Sequence, residues 1–491
     1  MSYEKLDEED PVDEWALRLL ARATCLAPGE PIPHALLMLT LALPDNNLAV
    51  RLEAEDALNR LLELGLVRTE IGDTVRLHRL MVTFVRDVLA ERVETAQEAI
   101  EQAIDKEVTR INETGIPGPL LVWQPHLRAV TNAALTREDS QAAKLCNELG
   151  GHLWLTGDYP GCQHYFERAL AIRRRYLGEE HPDTAHSYDR LGFVLRDLGK
   201  FGAAGLCYQK ALTIREMVLG EDHSDTAISL NELGRWYQAQ GDLIAAKEHY
   251  ERALRISLKV LGEIHPLTAE YLNNVGLSLV EIGDLTEAES YFQRAFTINK
   301  TIFGFEHPDT ALNLNNLGYL YQIAANPVKA QHYHEQALTI RETVLGREHP
   351  ETAQSLSNLG IVLRDQGHFE EARRYLEEAL TIRETVLGQD HPRTAICLDH
   401  LGLLLQHLGD LDTAQDYLER ALAIRRTVLG IDHPKTADSL DHLGRLLVSQ
   451  DHPDTARTYL EQALAIRRKM LGEDHPLTTQ TLKNLAGLPQ T

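Results

Sequence analysis

The sequence predicts a mainly α-helical protein, an α-solenoid of stacked helix pairs behind a small N-terminal domain of helices and one hairpin. Three observations carry this. The chain has 491 residues, more than one hydrophobic core usually spans, so several domains or a repeat array are required. The motif Leu-Gly-x-x-His-Pro recurs with small departures, its histidine at 181, 223, 265, 307, 349, 391, 433 and 475, a step of 42 residues without insertion. Between recurrences lie two stretches whose apolar residues follow helical spacing, each stopped by a glycine.

Composition narrows the function. Apolar residues at 43% and charged residues at 25% are ordinary for a folded chain. The 73 acidic against 49 basic residues give a formal net charge of −24, which repels phosphate backbones and anionic lipid, so nucleic acid is not expected as the main ligand. Cys25, Cys146, Cys162, Cys207 and Cys397 show no Cys-x-x-Cys spacing; with an odd count they predict a reducing, cytoplasmic setting rather than a disulfide framework. No apolar run reaches the ~18 residues of a membrane span, and the N-terminus is acidic where a signal peptide is basic.

Residues 1–12 are acidic and unpatterned and read as a linker. From 13 to 93 the spacing predicts helices over Glu14–Cys25, Pro33–Leu41 and Ala54–Leu64. Leu66–Glu70 and Thr74–His78 then alternate around Gly72-Asp73 as a β-hairpin. Three helices and a hairpin make a winged helix. Its would-be recognition face offers Arg51 and Arg60 but also Glu53, Glu55 and Asp56, which disfavours DNA. The segment Val75-Arg76-Leu77-His78-Arg79-Leu80-Met81, leading into 82–92, resembles the Leu-His-Arg-Leu segment that closes the winged-helix domain of NB-ARC and related STAND signalling ATPases. In that family a nucleotide-binding domain precedes the winged helix and a repeat sensor follows it. This chain has no Gly-x-x-x-x-Gly-Lys-Ser/Thr, so by itself it is expected to bind no nucleotide and no cofactor. The resemblance makes His78 a phosphate-facing candidate only where an upstream nucleotide domain exists; the alternative is a strand-end histidine capping the next helix. Residues 94–139 read as connecting helices, Glu94–Ile111 and Leu120–Ala134.

Residues 140–475 are read as eight helix pairs and 476–491 as a capping helix with a polar outer face. In one unit, helix A runs over Thr184–Leu198 and stops at Gly199; helix B runs from about Phe201 to Leu219 and stops at Gly220. His-Pro-Asp-Thr opens the next unit, with Pro at a position whose N–H is not needed. Such a pair cannot bury its own apolar stripe, so neighbours must stack into a superhelix. Leu191-Gly192, Leu195, Gly199, Ala204, Tyr208 and Ala211 match the tetratricopeptide pattern. The array is similar to the 42-residue, kinesin-light-chain-like tetratricopeptide repeats, which implies a right-handed superhelix.

That resemblance implies a concave face lined by the second, fifth, ninth and twelfth positions of each helix A. Here it gives a candidate peptide groove of Arg196, Asn231, Arg235, Asn273, Leu277, Leu312, Asn315, Tyr319, Gln322, Ile361 and Arg364. Asn231, Asn273 and Asn315 form a ladder whose carboxamides can grip an extended backbone. The arginines offer pairing to acidic side chains, and Leu277, Leu312, Tyr319 and Ile361 an apolar anchor site. A second ladder, Arg173, Arg215, Arg341, Arg383, Arg425 and Arg467 in helix B, interrupted by Ser257 and Asn299, is expected to form a solvated salt-bridge lattice with Glu216, Glu342 and Glu384.

Nothing in the sequence supports catalysis. There is no Gly-x-Ser-x-Gly elbow and no cysteine with a nucleophile signature. The motif histidines fall one per repeat and read as helix starters; Asp399-His400 with Asp441-His442, and His332 with His334, lack further close-spaced ligands, so no metal is expected. The expected function is a non-catalytic protein or peptide sensor of the STAND type. A freestanding tetratricopeptide adaptor is the alternative, and a winged-helix transcription regulator the third.

Overall fold

The computed structural model describes residues 2–43 and 47–488. The end of the capping segment 476–491 thus lies outside the described residues. The chain divides into two compact units, Met1–Leu155 with His164–Tyr176, and Thr156–Gln163 with Leu177–Thr491.

The first unit opens with α1 (Pro11–Cys25), β1 (Ile32–Pro33), α2 (His34–Leu39), α3 (Leu48–Glu63), β2 (Arg68–Glu70) and β3 (Thr74–Arg76). The strands form one antiparallel sheet in the order β1-β3-β2, with Val75 opposite both Ile32 and Thr69. β1 is too short to show a period of two, so only pairing defines it. α1 begins at Pro11 because the Asp10 carboxylate accepts from the Val12 and Asp13 N–H groups. The acidic segment before it is no free linker. Asp7 N–H donates to Asp13 Oδ2 at 3.0 Å, Tyr3 meets Phe84 edge-on, and Glu8 pairs with Arg92 at 3.4 Å. α3 starts ahead of the expected Ala54 because Asn47 caps it, which places Arg51 inside the helix.

α4 (Arg79–Val88) and α5 (Ala90–Thr114) come next, then α6 (Gly118–Leu121) and α7 (Gln124–Ala134). The single helix expected over 120–134 is broken at Trp123 because Pro125, without an N–H, sits in the first turn of α7. Two ion pairs tie α5 to the chain beyond α7: Glu101 with Arg137 at 2.6 Å and Asp105 with Lys144 at 2.5 Å. Lys144, at the second position of helix A in repeat 1, is thus engaged between helices.

The helix pairs keep the expected register. Helices A and B are Ser140–Leu155 and Tyr159–Tyr176 in repeat 1, Pro182–Asp197 and Phe201–Val218 in repeat 2, and Ser224–Ala239 and Leu243–Val260 in repeat 3. Repeats 4, 5 and 6 are Pro266–Ile282 and Leu285–Phe303, Pro308–Ile323 and Pro327–Val344, and Pro350–Asp365 and Phe369–Val386. Repeats 7 and 8 are Pro392–Leu408 and Leu411–Val428, and Pro434–Ser449 and Pro453–Leu471, before a last helix, Pro476–Ala486.

The recurring motif is a complete turn. Its glycine takes a positive φ, as at Gly388 (φ 102°), which costs a residue without Cβ nothing. Its histidine caps the next helix: Nδ1 accepts the N–H two residues on, at 3.1 Å from His181 to Asp183 and 3.0 Å from His391 to Arg393. Its threonine ties back, with Thr184 Oγ1 donating to Gly178 O at 2.8 Å and Thr436 Oγ1 to Gly430 O at 2.8 Å. Within each pair, a glycine of helix A lets helix B approach closely; a methyl on Gly192 would stand 2.8 Å from the Tyr208 ring. The same slot is filled by Phe292, His334 and Leu376 in later repeats.

Candidate functional site

Consecutive helices A meet through a polar ladder. In repeats 3, 4, 5 and 8 the fifth-position residue accepts from the sixth-position residue of the next helix A. Asn274 Nδ2 donates to Asn231 Oδ1 at 2.7 Å, Asn316 Nδ2 to Asn273 Oδ1 at 3.2 Å, and Asn484 Nδ2 to Asp441 Oδ1 at 3.2 Å. Asn315 is held from three sides: its Nδ2 donates to Ser355 Oγ at 3.0 Å, and its Oδ1 faces His334 Nδ1 at 2.9 Å and Asn358 Nδ2 at 3.5 Å. Asn231, Asn273 and Asn315 are all buried. The carboxamides expected to grip a bound backbone are therefore engaged between repeats, since a buried polar group must find its partner in the fold. The sixth-position donors went unread in the sequence; the signal was a second polar column one residue beyond the first.

The arginines are also paired within the chain. Arg196 lies over the Phe193 ring at 5.0 Å, 3.2 Å from Asp197 and 3.6 Å from Glu232. Arg235 pairs with Glu270 at 2.8 Å and Glu232 at 3.7 Å, and Arg364 with Asp365 at 2.8 Å. Gln322 Nε2 donates to the same Asp365 at 3.1 Å, as Gln238 does to Glu281 at 2.8 Å. Burial pushes the Glu270 carboxyl up despite Arg235, and burial with Glu281 nearby raises Tyr319. The face is thus close to charge-balanced, rather than an array of arginines awaiting acidic partners.

What stays open is apolar. Leu312 is 44% exposed and Tyr319 37%, both on helix A of repeat 5, with Leu277 and Ile361 half-buried at the same register in repeats 4 and 6. Of the expected groove residues, these four keep surface that their own chain does not cover with polar partners.

The second ladder corrects the sequence reading. Arg215, Arg341, Arg383, Arg425 and Arg467 are buried, not solvated. Each braces helix B against the following helix A. Arg383 Nη1 donates to Arg393 O at 2.8 Å and Nη2 to Gln354 Oε1 at 2.6 Å; Arg341 Nη1 reaches Glu351 O at 2.8 Å and Ser355 Oγ at 3.0 Å. Where arginine is missing, Ser257 meets Thr268 Oγ1 at 2.7 Å and Asn299 Nδ2 donates to Asn313 Oδ1 at 2.9 Å. The surface lattice does exist, built from other arginines: Glu216 with Arg252, Glu342 with Arg347, Glu384 with Arg420.

The remaining candidates are occupied likewise. His78 Nδ1 caps α4, accepting Leu80 N–H at 3.3 Å, on an exposed ring. Asp399 pairs with Arg425 and lies 3.6 Å from His442, while burial pulls His400 down to about 4. Among the described residues no three of His, Cys, Asp or Glu converge as metal ligands do, and no helix is long and apolar enough to cross a membrane. Burial raises the Cys25 thiol to about 11 and the Cys146 thiol to about 12.

Helix pairs in strict register, each packed on the next, define an α-solenoid of the helical-repeat class. The chain belongs to the tetratricopeptide repeat family, whose model matches residues 140–217, 188–259, 225–301, 267–343, 309–385, 362–427 and 393–469. No curated protein matches it. Among solved structures it is similar to BtubC (BKLC) from P. vanneervenii, 25% identical over 48% of this chain and 93% of that one, TM-score 0.39. It is similar also to a STAND protein with a tetratricopeptide repeat sensor from Pyrococcus horikoshii, 15% identical over 98% of this chain and 65% of that one, TM-score 0.49. A Rap protein complexed with competence and sporulation factor is 14% identical over 75% of this chain and 98% of its own, TM-score 0.50, a likeness of fold.

Proposed function

We propose that the concave face of the repeats captures a protein or peptide segment in extended form, and that the chain is the non-catalytic sensor portion of a STAND-type signalling protein. The observation that carries the first part is the open apolar strip of Leu277, Leu312, Tyr319 and Ile361, set among side chains whose charges are already matched. A half-exposed leucine and tyrosine on a concave wall gain most when an apolar side chain displaces water from them. With the arginines paired, selectivity falls on that anchor rather than on acidic positions. The second part is supported by the helix, strand, helix, helix, hairpin order of residues 11–76, read as a winged helix, and by the Leu77-His78-Arg79-Leu80 segment directly after it. A ligand that fits one curvature of the superhelix better than another shifts the population of the whole array, which an upstream nucleotide-binding domain would read through the winged helix.

Leu312→Ala with Tyr319→Ala is expected to weaken peptide capture by at least ~10-fold, the ~1.4 kcal/mol that a lost apolar anchor exceeds, with only a small fall in melting temperature because both side chains are half-exposed. Unchanged capture in fluorescence polarisation would refute the strip as the site. Asn273→Ala with Asn315→Ala is the contrasting pair: it lowers the melting temperature, because it leaves buried partners unpaired at ~1–3 kcal/mol each.

A further inference from the structure

The second unit meets itself edge to edge. The His433 ring, at the start of helix A of repeat 8, stands against the interhelix turn of repeat 2. Its Nε2 lies 3.1 Å from Asp197 O, and a methyl on Gly199 would stand 2.9 Å from its Cδ2. Nδ1 accepts Lys435 N–H at 3.0 Å, so the ring proton sits on Nε2 and is donated to Asp197 O. The same meeting recurs one repeat earlier, where a methyl on Gly157 would stand 3.1 Å from His391, and one repeat later, between Gly241 and His475. Both partners advance by one repeat at each step. The edge that carries the interhelix turns of repeats 1 to 3 therefore runs along the edge that carries the helix starts of repeat 7, repeat 8 and the last helix.

A ribbon whose two edges touch after one turn encloses its concave side. The partners are about five and a half 42-residue repeats apart, and the helices A around the inside touch, as Asn231 and Asn274 show. With axes ~10 Å apart at such contacts, the ring of helices A has a perimeter of at most ~55 Å and an axis radius of at most ~9 Å. Taking off half a helix diameter, ~5 Å, leaves a bore of ~8 Å or less. An α-helix with its side chains, ~10–12 Å across, does not pass. An extended chain, ~5 Å thick in its hydrogen-bonding direction and ~10 Å across its side chains, is the slimmer form and enters where its side chains are small or lie along the bore. The exposure of Leu312 and Tyr319 shows that the chain's own side chains do not fill the space.

We propose that the repeats form a channel closed along this seam, and that its ligand is an unstructured polypeptide terminus that enters end-on; folded partners, helices and closed loops are shut out while the seam holds. This rests on the concave-face reading above and names its ligand class. The test uses the full chain with Lys200→Cys and Lys435→Cys, exposed positions beside the Gly199 and His433 contact, joined by a short bismaleimide; the native cysteines are buried and leave the reagent to the new pair. Two probes are compared: random linear dodecapeptides with a free N-terminus, and the same library closed into loops by flanking cysteines. The expected result is rapid intramolecular cross-linking, linear binders whose affinity changes less than ~3-fold on stapling, and no binders from the closed library. Failure to cross-link overturns the closed channel and leaves an open groove standing. Closed-loop binders to the stapled protein, or loss of linear binding on stapling, overturn end-on access. A library pair that yields no binder, with the cross-link formed, overturns the concave-face reading and the ligand class with it.

Discussion

At the fifth position of each helix A, one side chain decides whether the rung to the next repeat is closed. Sixth-position donors close it at Asn231, Asn273 and Asn315, but the sixth-position residue after Asp189 is Glu232, a second carboxylate that cannot donate, and Asp189 is held instead by Arg215 and Ser229 Oγ. Burial first, and Glu232 after it, raise Asp189 from 3.8 to about 7, against the pull of Arg215. The folded state thus holds a proton that the unfolded chain has released, so this rung loses stability as pH rises from about 4 through 7. Glu232→Asn installs the donor of the neighbouring rungs. It should raise the melting temperature at pH 8 and leave it nearly unchanged at pH 4; equal shifts at both values would acquit the rung. The interhelix turns give a second residue-scale test. Ala325 has φ 52° and Asp451 φ 65°, where the other repeats of the array use glycine. Ala325→Gly should stabilise by ~1 kcal/mol in urea titration, and Asp451→Gly by less, because an aspartate tolerates the left-handed region better than an alanine does.

Helices hold one another through the buried arginines, whose guanidinium forks donate a further hydrogen bond to carbonyl oxygens in the first turn of the next helix A. Arg425 Nη1 donates to Lys435 O at 3.2 Å and Ser439 Oγ at 2.5 Å while its other arm pairs with Asp399. Arg425→Ala removes the fork and leaves Asp399 buried without its cation, a loss of ~3–5 kcal/mol; Arg425→Met keeps the packing of the stem and should cost less. Chemical unfolding in which the Met variant matches the wild type would mean the arginine acts through its stem alone, with nothing lost at Asp399. The sequence showed this ladder as a column of arginines after isoleucine, but periodicity cannot tell a buried fork from a solvated one. Their depth depends on how closely the next helix A approaches, which is a tertiary quantity.

Over the whole array, stability follows the neutral histidines. Burial pulls His334, His400 and His433 each down to about 4. An unfolded histidine takes its proton near 6.5, so the stability these rings contribute is complete above that pH and is lost as pH falls from 6.5 to 4. The slope is up to ~1.4 kcal/mol per pH unit for each ring, and three such groups outweigh the opposite trend of Asp189. Urea midpoints should be flat from pH 7 to 8 and drop steeply below 6.5; a profile flat to pH 4 would show that the rings take protons within the fold. His433 links this to the seam, because a proton on its Nδ1 would face the helix N–H it now accepts and break the cap beside Asp197.

The 42-residue period by itself determined the helix pairs, their order, the capping histidines and the turn glycines, because these depend on contacts within one repeat or between neighbours, and such contacts recur with the sequence that makes them. In the N-terminal unit the hairpin was legible from alternation around Gly72-Asp73, whereas β1 and the cap of α3 at Asn47 were not, being too short or too local to leave a period. The exposure of Leu312 and Tyr319 fits the outward positions that the repeat register gave them on helix A. That Asn231, Asn273 and Asn315 face the next repeat, and that His433 reaches Asp197 across the turn of the superhelix, only the tertiary structure decided. The reason is that the small rotation from one repeat to the next, summed over a full turn, sets which surfaces meet. No single repeat encodes that sum in its own pattern.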